Sequence, residues 1–265
     1  MKPYHEPPFL RTRPPAPSDD PLSLVALVQN GTLDADLAAL LWLTVARRGS
    51  IVVAAAPRLP GKTTVLSAVL DLAPAGTELV YTHGESEKFA FLDETDPGNT
   101  VIVVNEISDH LPIYLWGWRV LRVFEALERG YSMGATLHAD TPEEVLEVLL
   151  DPEVGATPAL VGQVCLIVNL AVVGQGDQPA RRVRSAHVVV TDEDGRLGAV
   201  RLAAWDAGTD SFQHEGAGAL AALAARLGLS LEALDAELSV RRGDISAAAG
   251  PLNRADARRR LVELT

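Results

Sequence analysis

Residues 54–64, AAAPRLPGKTT, constrain this chain more than any other stretch of the sequence. They follow a short, uniformly apolar run, SIVVAAAP, of the kind that forms a strand buried on both faces of a sheet. They precede TTVLSAVLDLA, which has helical periodicity. A strand, a glycine-containing loop and a helix in this order form the context that a phosphate-binding loop requires. The sequence therefore predicts an α/β fold built around this loop.

The loop matches the second half of the phosphate-binding pattern G-x-x-x-x-G-K-[ST]. Gly61 lets backbone N–H groups converge on phosphate oxygens, Lys62 supplies a mobile positive charge, and Thr63 supplies a hydroxyl for Mg²⁺. The N-terminus of the following helix adds partial positive charge. We therefore predict that nucleotide phosphates contact the run formed by Pro60, Gly61, Lys62, Thr63 and Thr64.

The first half of the loop differs from the pattern. Ala56 replaces the first glycine, which is a small change where the backbone is extended. Pro57 and Pro60 each remove a backbone N–H group from the loop. We expect these changes to weaken nucleotide binding, so the sequence leaves two interpretations open: a working phosphate site, and an inherited loop that binds nucleotide weakly or not at all.

Two later strands end in polar side chains that belong at the same edge of the sheet. The run VIVVNE places Glu106 after four β-branched residues, and GATLHADTP places His138 after another apolar strand. Ligands of open parallel sheets collect at the carboxyl ends of the strands. Glu106 is therefore the candidate for polarising the attacking water and for holding Mg²⁺ through water, and His138 is the candidate for a place beside the phosphates. An ordinary strand-end glutamate and a surface histidine are the alternatives.

The order of elements divides the chain into four parts. Residues 1–21 hold seven of the 17 prolines, which predicts an extended arm. Residues 22–174 alternate strands and helices, which predicts a mainly parallel sheet with helices on both faces. Residues 175–215 carry two alternating runs joined by Asp-Glu-Asp-Gly, which predicts an antiparallel hairpin that continues the core. Residues 216–265 are predicted to form short amphipathic helices.

Composition argues against several classes of function. The net charge of −12 disfavours bulk attraction to nucleic acid and to anionic lipid, so we expect no nucleic-acid partner. The longest apolar run, near residues 164–173, is interrupted by Asn169 and is too short to span a bilayer. The N-terminal residues lack the apolar core of a signal peptide, so neither export nor a membrane anchor is expected. The lone Cys165 predicts a small buried hydrophobe in a reducing compartment.

Three motifs in this order resemble those of the ATPases of type II and type IV secretion, and most closely the branch that assembles Tad and archaeal-type pili. AAPRLPGKTTVLSAV is similar to the phosphate loop of that family, VNEISD to its Walker B motif, and ATLHADTP to its His box. The resemblance covers about residues 20–245. It implies a RecA-like P-loop NTPase core that uses ATP and Mg²⁺.

The resemblance also implies roles for individual residues. Lys62 and Thr63 would hold phosphates and Mg²⁺, Glu106 would act as the catalytic glutamate, and His138 would sense the γ-phosphate. Glu85, in ELVYTHGESE, falls at the position of the family's acidic box. The resemblance further implies a ring of six subunits, of one or two kinds, in the cytoplasm at the inner face of the cell membrane. Such a ring moves a membrane platform protein in secretion or pilus assembly.

The chain departs from the family's pattern in charge. The spacing from Lys62 to Glu106 is shorter than usual, so the arginine-bearing segment after the acidic box is missing. Ser108 stands where Walker B motifs commonly have arginine, and Tyr131 stands where the family has a histidine. Each change removes positive charge that stabilises a transferring phosphoryl group. Two hypotheses follow, a motor ATPase and a catalytically impaired relative with a structural or regulatory role. An unrelated P-loop kinase is disfavoured because no acceptor-binding lid is evident.

Overall fold

A computed structural model of the 265-residue chain describes residues 23–56, 61–174 and 179–248. The predicted N-terminal arm and Pro60 lie outside the described residues, as do the residues after 248. The strands are β1 (Ser50–Ala54), β2 (Glu78–Tyr81), β3 (Thr100–Ile107), β4 (Ser132–Leu137), β5 (Val164–Val173), β6 (Ala180–Thr191), β7 (Leu197–Asp206) and β8 (Ser211–His214). The α-helices are α1 (Leu24–Gln29), α2 (Ala35–Ala46), α3 (Lys62–Leu70), α4 (Trp118–Glu128), α5 (Pro142–Leu149), α6 (Pro158–Val161), α7 (Ala217–Arg226) and α8 (Leu231–Ala248).

The eight strands of the described residues join in one sheet, in the order β2-β3-β4-β1-β5-β6-β7-β8. Strands β1 to β5 pair in parallel, and β6, β7 and β8 continue the sheet as antiparallel strands. Strand β4 lies between β1, which leads into the phosphate loop, and β3, which carries Glu106. The predicted α/β class is thus confirmed: a mainly parallel core, an antiparallel continuation and a helical C-terminal region.

The burial of β1 shows why helices cover both faces of the sheet. Ile51 and Val53 belong to one apolar cluster, and Val52 and Ala54 belong to a second cluster on the opposite face. Helices α1, α2, α3, α7 and α8 fill the first cluster, and α4, α5 and α6 fill the second. Continuous apolar strands are typical of parallel sheets that are covered on both sides.

Side-chain caps define helix starts that the sequence indicates. Asp34 accepts a hydrogen bond from Leu37 N at 2.9 Å and caps α2. Thr141 caps α5, with Pro142 at its first position. Because α5 begins there, only residues 138–141 connect it to β4, and this short connection holds His138 at the edge of the sheet.

Helices α7 and α8 pack into the first apolar cluster, where Leu234 of α8 is fully buried. Arg47, which follows α2, pairs with Glu237 of α8. Asp36 of α2 lies 3.0 Å from Arg242 of α8. Helix α8 is one helix of 18 residues, longer than the short helices expected from the sequence. No single helix of the described ranges is long and apolar enough to cross a membrane, although α7 and α8, bent by 95°, pass that test as a pair.

Candidate active site

Gly61 forms the junction between the phosphate loop and α3. Its φ of +89° lies in the left-handed region, which favours glycine because it has no Cβ. No described side chain caps α3, so the first N–H groups of the helix are open to a ligand at the sheet edge. Together with the helix dipole, these N–H groups make an anion-binding position.

Lys62 joins the three sequence motifs at one point. It is the first residue of α3 and only 6% exposed. Its Nζ lies 3.1 Å from Glu106 Oε1, and 3.2 and 3.4 Å from Nδ1 and Nε2 of His138. Glu106 Oε1 in turn lies 3.2 Å from His138 Nε2. The structure therefore brings together three predicted site residues that are far apart in the sequence.

An irregularity in β3 turns Glu106 towards α3. Ile102 and Val104 belong to the apolar cluster on the α4 side, so a regular alternation would send Glu106 to that side and Ile107 to the opposite one. Ile107 nevertheless lies in the α4-side cluster, which shows that the alternation is broken. The register between β3 and β4 shifts between Val104 and Ile107. The Glu106 carboxylate consequently contacts Lys62 of α3 and Thr136 of β4.

Thr136 is a site residue that the sequence interpretation missed. It is 1% exposed, and its hydroxyl donates to Glu106 Oε2 at 2.8 Å. The same hydroxyl lies close to the backbone carbonyl of Asn105. A polar residue inside an otherwise apolar strand, two positions before His138, was the signal that could have identified it.

The electrostatics of the site centre on a buried ammonium group. Burial lowers the pKa of Lys62 from its ordinary value of 10.5, and the nearby Glu106 carboxylate opposes this shift. A cation in such a position requires an anionic partner, because an unpaired buried charge is strongly unfavourable. Glu106 is that partner in this structure, and phosphate oxygens offer a second one.

His138 is the most accessible of the three grouped side chains. Its side chain is 37% exposed, and its Nδ1 lies 3.3 Å from the carbonyl oxygen of Ala55 in the strand-to-loop segment. The next polar residue, Asp140, pairs with Arg184 of β6 at 2.8 Å. The imidazole therefore stands between the interior of the site and solvent, where an incoming ligand can contact it.

The remaining predicted residues lie at different places. Thr63 is exposed and Thr64 is partly buried in the first turn of α3. Glu85 is exposed and is not among the described contacts of the grouped side chains, so its role in an acidic box stays a prediction. The buried carboxylate of that stretch is Glu87, which accepts hydrogen bonds from backbone N–H groups, including that of His83.

The donor atoms available at the site fit Mg²⁺ and phosphate. Thr63 offers an exposed hydroxyl and Glu106 a buried carboxylate, and Mg²⁺ prefers oxygen ligands together with water and phosphate oxygens. Next to Glu106 in the chain, Asn105 has a buried Nδ2 without a hydrogen-bond partner among the described residues, so both of its N–H donors are unused. Thr63, and Glu106 through water, are the residues that would hold the metal.

Comparisons with known proteins give limited similarity. No protein-family model and no curated protein matches the chain. Its structure is similar to that of the VirB11 ATPase from the Brucella suis type IV secretion system in complex with sulphate, at 18% identity and a TM-score of 0.43, covering 71% of this chain and 57% of that one. It is also similar to the Legionella pneumophila ATPase DotB, at 14% identity and a TM-score of 0.33, covering 76% and 54%.

The chain thus spans just over half the length of both of these proteins. Identities and TM-scores this low do not carry function from one protein to another. The contacts among Lys62, Glu106 and His138 are the observations that bear on function.

Proposed function

We propose that this chain binds and hydrolyses ATP as a subunit of a type II/IV secretion or type IV/Tad-like pilus assembly machine. The observation that supports this most is the position of Lys62 Nζ, within 3.4 Å of both Glu106 and His138, at the start of α3. A lysine on the phosphates, a carboxylate that orients water and a polar sensor at the carboxyl edge of a parallel sheet are what phosphoryl transfer requires.

The proposed mechanism begins with an exchange of partners at Lys62. The triphosphate competes with Glu106 for the ammonium group, which releases the carboxylate to orient the attacking water and accept its proton. His138, already partly exposed, contacts the terminal phosphate. Thr63, and Glu106 through water, would hold Mg²⁺, which would neutralise charge on the phosphate oxygens.

The proposal that the chain belongs to a secretion or pilus assembly machine is supported by the motif resemblance over about residues 20–245. By that resemblance residues 22–174 form the ATPase core, and the chain assembles as a ring of six identical or mixed subunits. The ring acts in the cytoplasm at the inner face of the membrane on a platform protein. A ring suits a site with few arginines of its own, because the neighbouring subunit can complete it.

One observation favours a second candidate, a nucleotide-binding subunit with impaired hydrolysis. Ser108, at the position where Walker B motifs commonly carry arginine, is buried, and its hydroxyl accepts a hydrogen bond from His110 N at 3.2 Å. This position therefore serves the local backbone and places no positive charge near a phosphate. The slower the measured turnover, the stronger this candidate becomes.

Phosphate release and nucleotide affinity, measured on the purified chain with ATP and Mg²⁺, test the proposal. We expect Lys62→Ala to weaken binding and abolish release, and Glu106→Gln to bind ATP but lose about a hundredfold or more in turnover. Lys88→Ala, which removes an exposed lysine, is the matched control and should behave as wild type. Binding without turnover in the wild type supports the second candidate, and absence of binding contradicts both.

A further inference from the structure

A second cationic side chain lies on the opposite side of the phosphate loop. The sheet order places Glu106 and His138, which lie on β3 and just after β4, to one side of β1, and β5 and β6 to the other side. Arg181 of β6 pairs with Val172 of β5. A Cβ atom added at Gly61 would lie 3.1 Å from Arg181 Cδ and 3.6 Å from Arg181 Nε. The arginine side chain therefore lies across the last glycine of the loop.

The guanidinium group of Arg181 is available to a ligand. Arg181 is exposed and donates one hydrogen bond, to the carbonyl oxygen of Pro179 at 3.2 Å, and no carboxylate among the described residues pairs with it. The adjacent Arg182 differs, because Asp210 binds it through two hydrogen bonds of 2.8 and 2.9 Å. Of these two neighbouring arginines, Arg182 is held by Asp210, whereas Arg181 has no carboxylate partner among the described residues and places its Cδ and Nε beside Gly61.

We propose that Arg181 binds the diphosphate part of a nucleoside di- or triphosphate, an inference that rests on the proposed function. Lys62 lies beside Glu106 and His138, which would contact the terminal phosphate. Arg181 lies at Gly61, beside the first backbone N–H groups of α3, which would bind the inner phosphates. A planar guanidinium group binds phosphate oxygens in pairs.

Arg181 also compensates for a feature of the sequence. The loop contains two prolines, each without an N–H group, so it has fewer backbone donors than an intact phosphate loop. A side-chain cation that lies over the end of the loop restores part of the missing attraction. Because ADP and ATP share the diphosphate, Arg181 should contribute equally to the binding of both.

The test is a set of dissociation constants for ADP and ATP with Mg²⁺, measured by calorimetry on the full chain. We expect Arg181→Ala to raise both constants about tenfold, the effect of losing hydrogen bonds to a charged group. Arg181→Gln keeps most of the stem over Gly61 but removes the charge, and should show the same loss. Arg182→Ala is the matched control: it should lower the melting temperature and leave both constants within about twofold of wild type.

The outcomes separate this inference from the proposed function. If the wild type binds both nucleotides and Arg181→Ala stays within about twofold, Arg181 has no such role although nucleotide binding stands. If Arg181→Gln binds as well as wild type, the charge is not what holds the ligand. A loss restricted to ATP shows that Arg181 acts on the terminal phosphate instead, and overturns the assignment. If the wild type binds neither nucleotide, both proposals fail.

Discussion

Thr136 Oγ1 lies 2.8 Å from Glu106 Oε2, while the other carboxylate oxygen of Glu106 contacts Lys62. The two carboxylate oxygens thus have separate partners, and Thr136 is a positioning residue for Glu106. We expect Thr136→Val, which keeps the shape but removes the hydroxyl, to lower the rate of phosphate release about tenfold and leave the KM for ATP unchanged.

Thr136→Ser is the control for this prediction, because it retains the hydroxyl and should restore most of the rate. Both variants should melt close to the wild-type temperature, so that a change in rate reports on Glu106. Equal rates for Thr136→Val and wild type would show that Glu106 needs no second partner. Equal losses in both variants would assign the effect to packing.

The buried pair of Lys62 and Glu106 predicts coupled effects on stability without nucleotide. Lys62→Met and Glu106→Gln each leave the opposite charge buried with one partner fewer. Each variant should therefore lower the free energy of unfolding by about 3 kcal/mol, as expected for a broken buried ion pair. The double variant should lose less than the sum of the two, because it leaves neither charge behind.

Urea denaturation of the four proteins measures this coupling. The outcome that contradicts the prediction is simple additivity, which would mean that neither charge depends on the other. Added nucleotide should stabilise the wild type against urea and have no such effect on Lys62→Met, because this variant lacks the ammonium group that we propose contacts the phosphates.

Gly61→Ala combines backbone strain with a close contact. At a φ of +89° an alanine is strained by about 1–2 kcal/mol, and its Cβ would lie 3.1 Å from Arg181 Cδ. We expect a lower melting temperature together with weaker ADP binding. Gly76→Ala is a matched control, since Gly76 has a φ of +81° with nothing within 4 Å of an added Cβ. It should lose similar stability and bind ADP like wild type, and a loss of ADP affinity in Gly76→Ala would refute the contact argument.

The contact between His214 and Asp34 predicts a pH dependence of stability. His214 Nε2 lies 2.8 Å from Asp34 Oδ2 and connects β8 to the start of α2. This hydrogen bond raises the pKa of His214 above its ordinary value of 6.5, with further help from Asp36 and opposition from burial and Arg242. The contact therefore stabilises the fold fully below the unfolded pKa, and its contribution is lost as the pH rises through the folded pKa.

Thermal unfolding across this range tests the prediction. The wild type should exceed His214→Gln in stability by at most about 1 kcal/mol near pH 6, because both side chains are partly exposed. The difference should disappear near pH 9. His110→Gln is the control, since the pair of His110 with Asp109 is largely exposed and should contribute little. A difference that grows with pH would contradict the assignment.

Cys165 should be chemically silent in the folded protein. It is 2% exposed, and burial raises the pKa of its thiol to about 11, although Arg226 opposes the shift. A thiol reagent at about pH 8 should label the protein only after unfolding, since the thiolate is the reactive form. Rapid labelling of the native chain would contradict this expectation, which agrees with the buried hydrophobe predicted from the sequence.

The sequence predicted where two side chains of the candidate site lie, because a polar residue at the end of an apolar strand is visible in the sequence. Glu106 and His138 each follow an apolar run, and parallel strands present their carboxyl ends at one edge. Thr136 could not be predicted with the same argument, because its contact depends on a shift in the register between β3 and β4. Arg181 depends on the antiparallel pairing of β6 with β5, which places residues distant in sequence beside the loop.

The fold, like the site, could be predicted only in part from the sequence. Apolar strands alternating with helices predicted the class and the coverage of both faces, because burial on two sides leaves a visible pattern. The order of the strands is set by how the connections cross the sheet, which no local pattern encodes. The turn that holds Glu85 and Glu87 is another example, since only the fold decides which of the two carboxylates is buried.

Helix α8 covers α2, although the ribosome synthesises α2 about 200 residues earlier. At cellular translation speeds this interval is roughly 10–40 s. During that time the nascent chain carries the apolar surface around Trp42 without the helix that later shields it. The synthesis of α8 thus ends the period in which this apolar surface is exposed to aggregation and to chaperones.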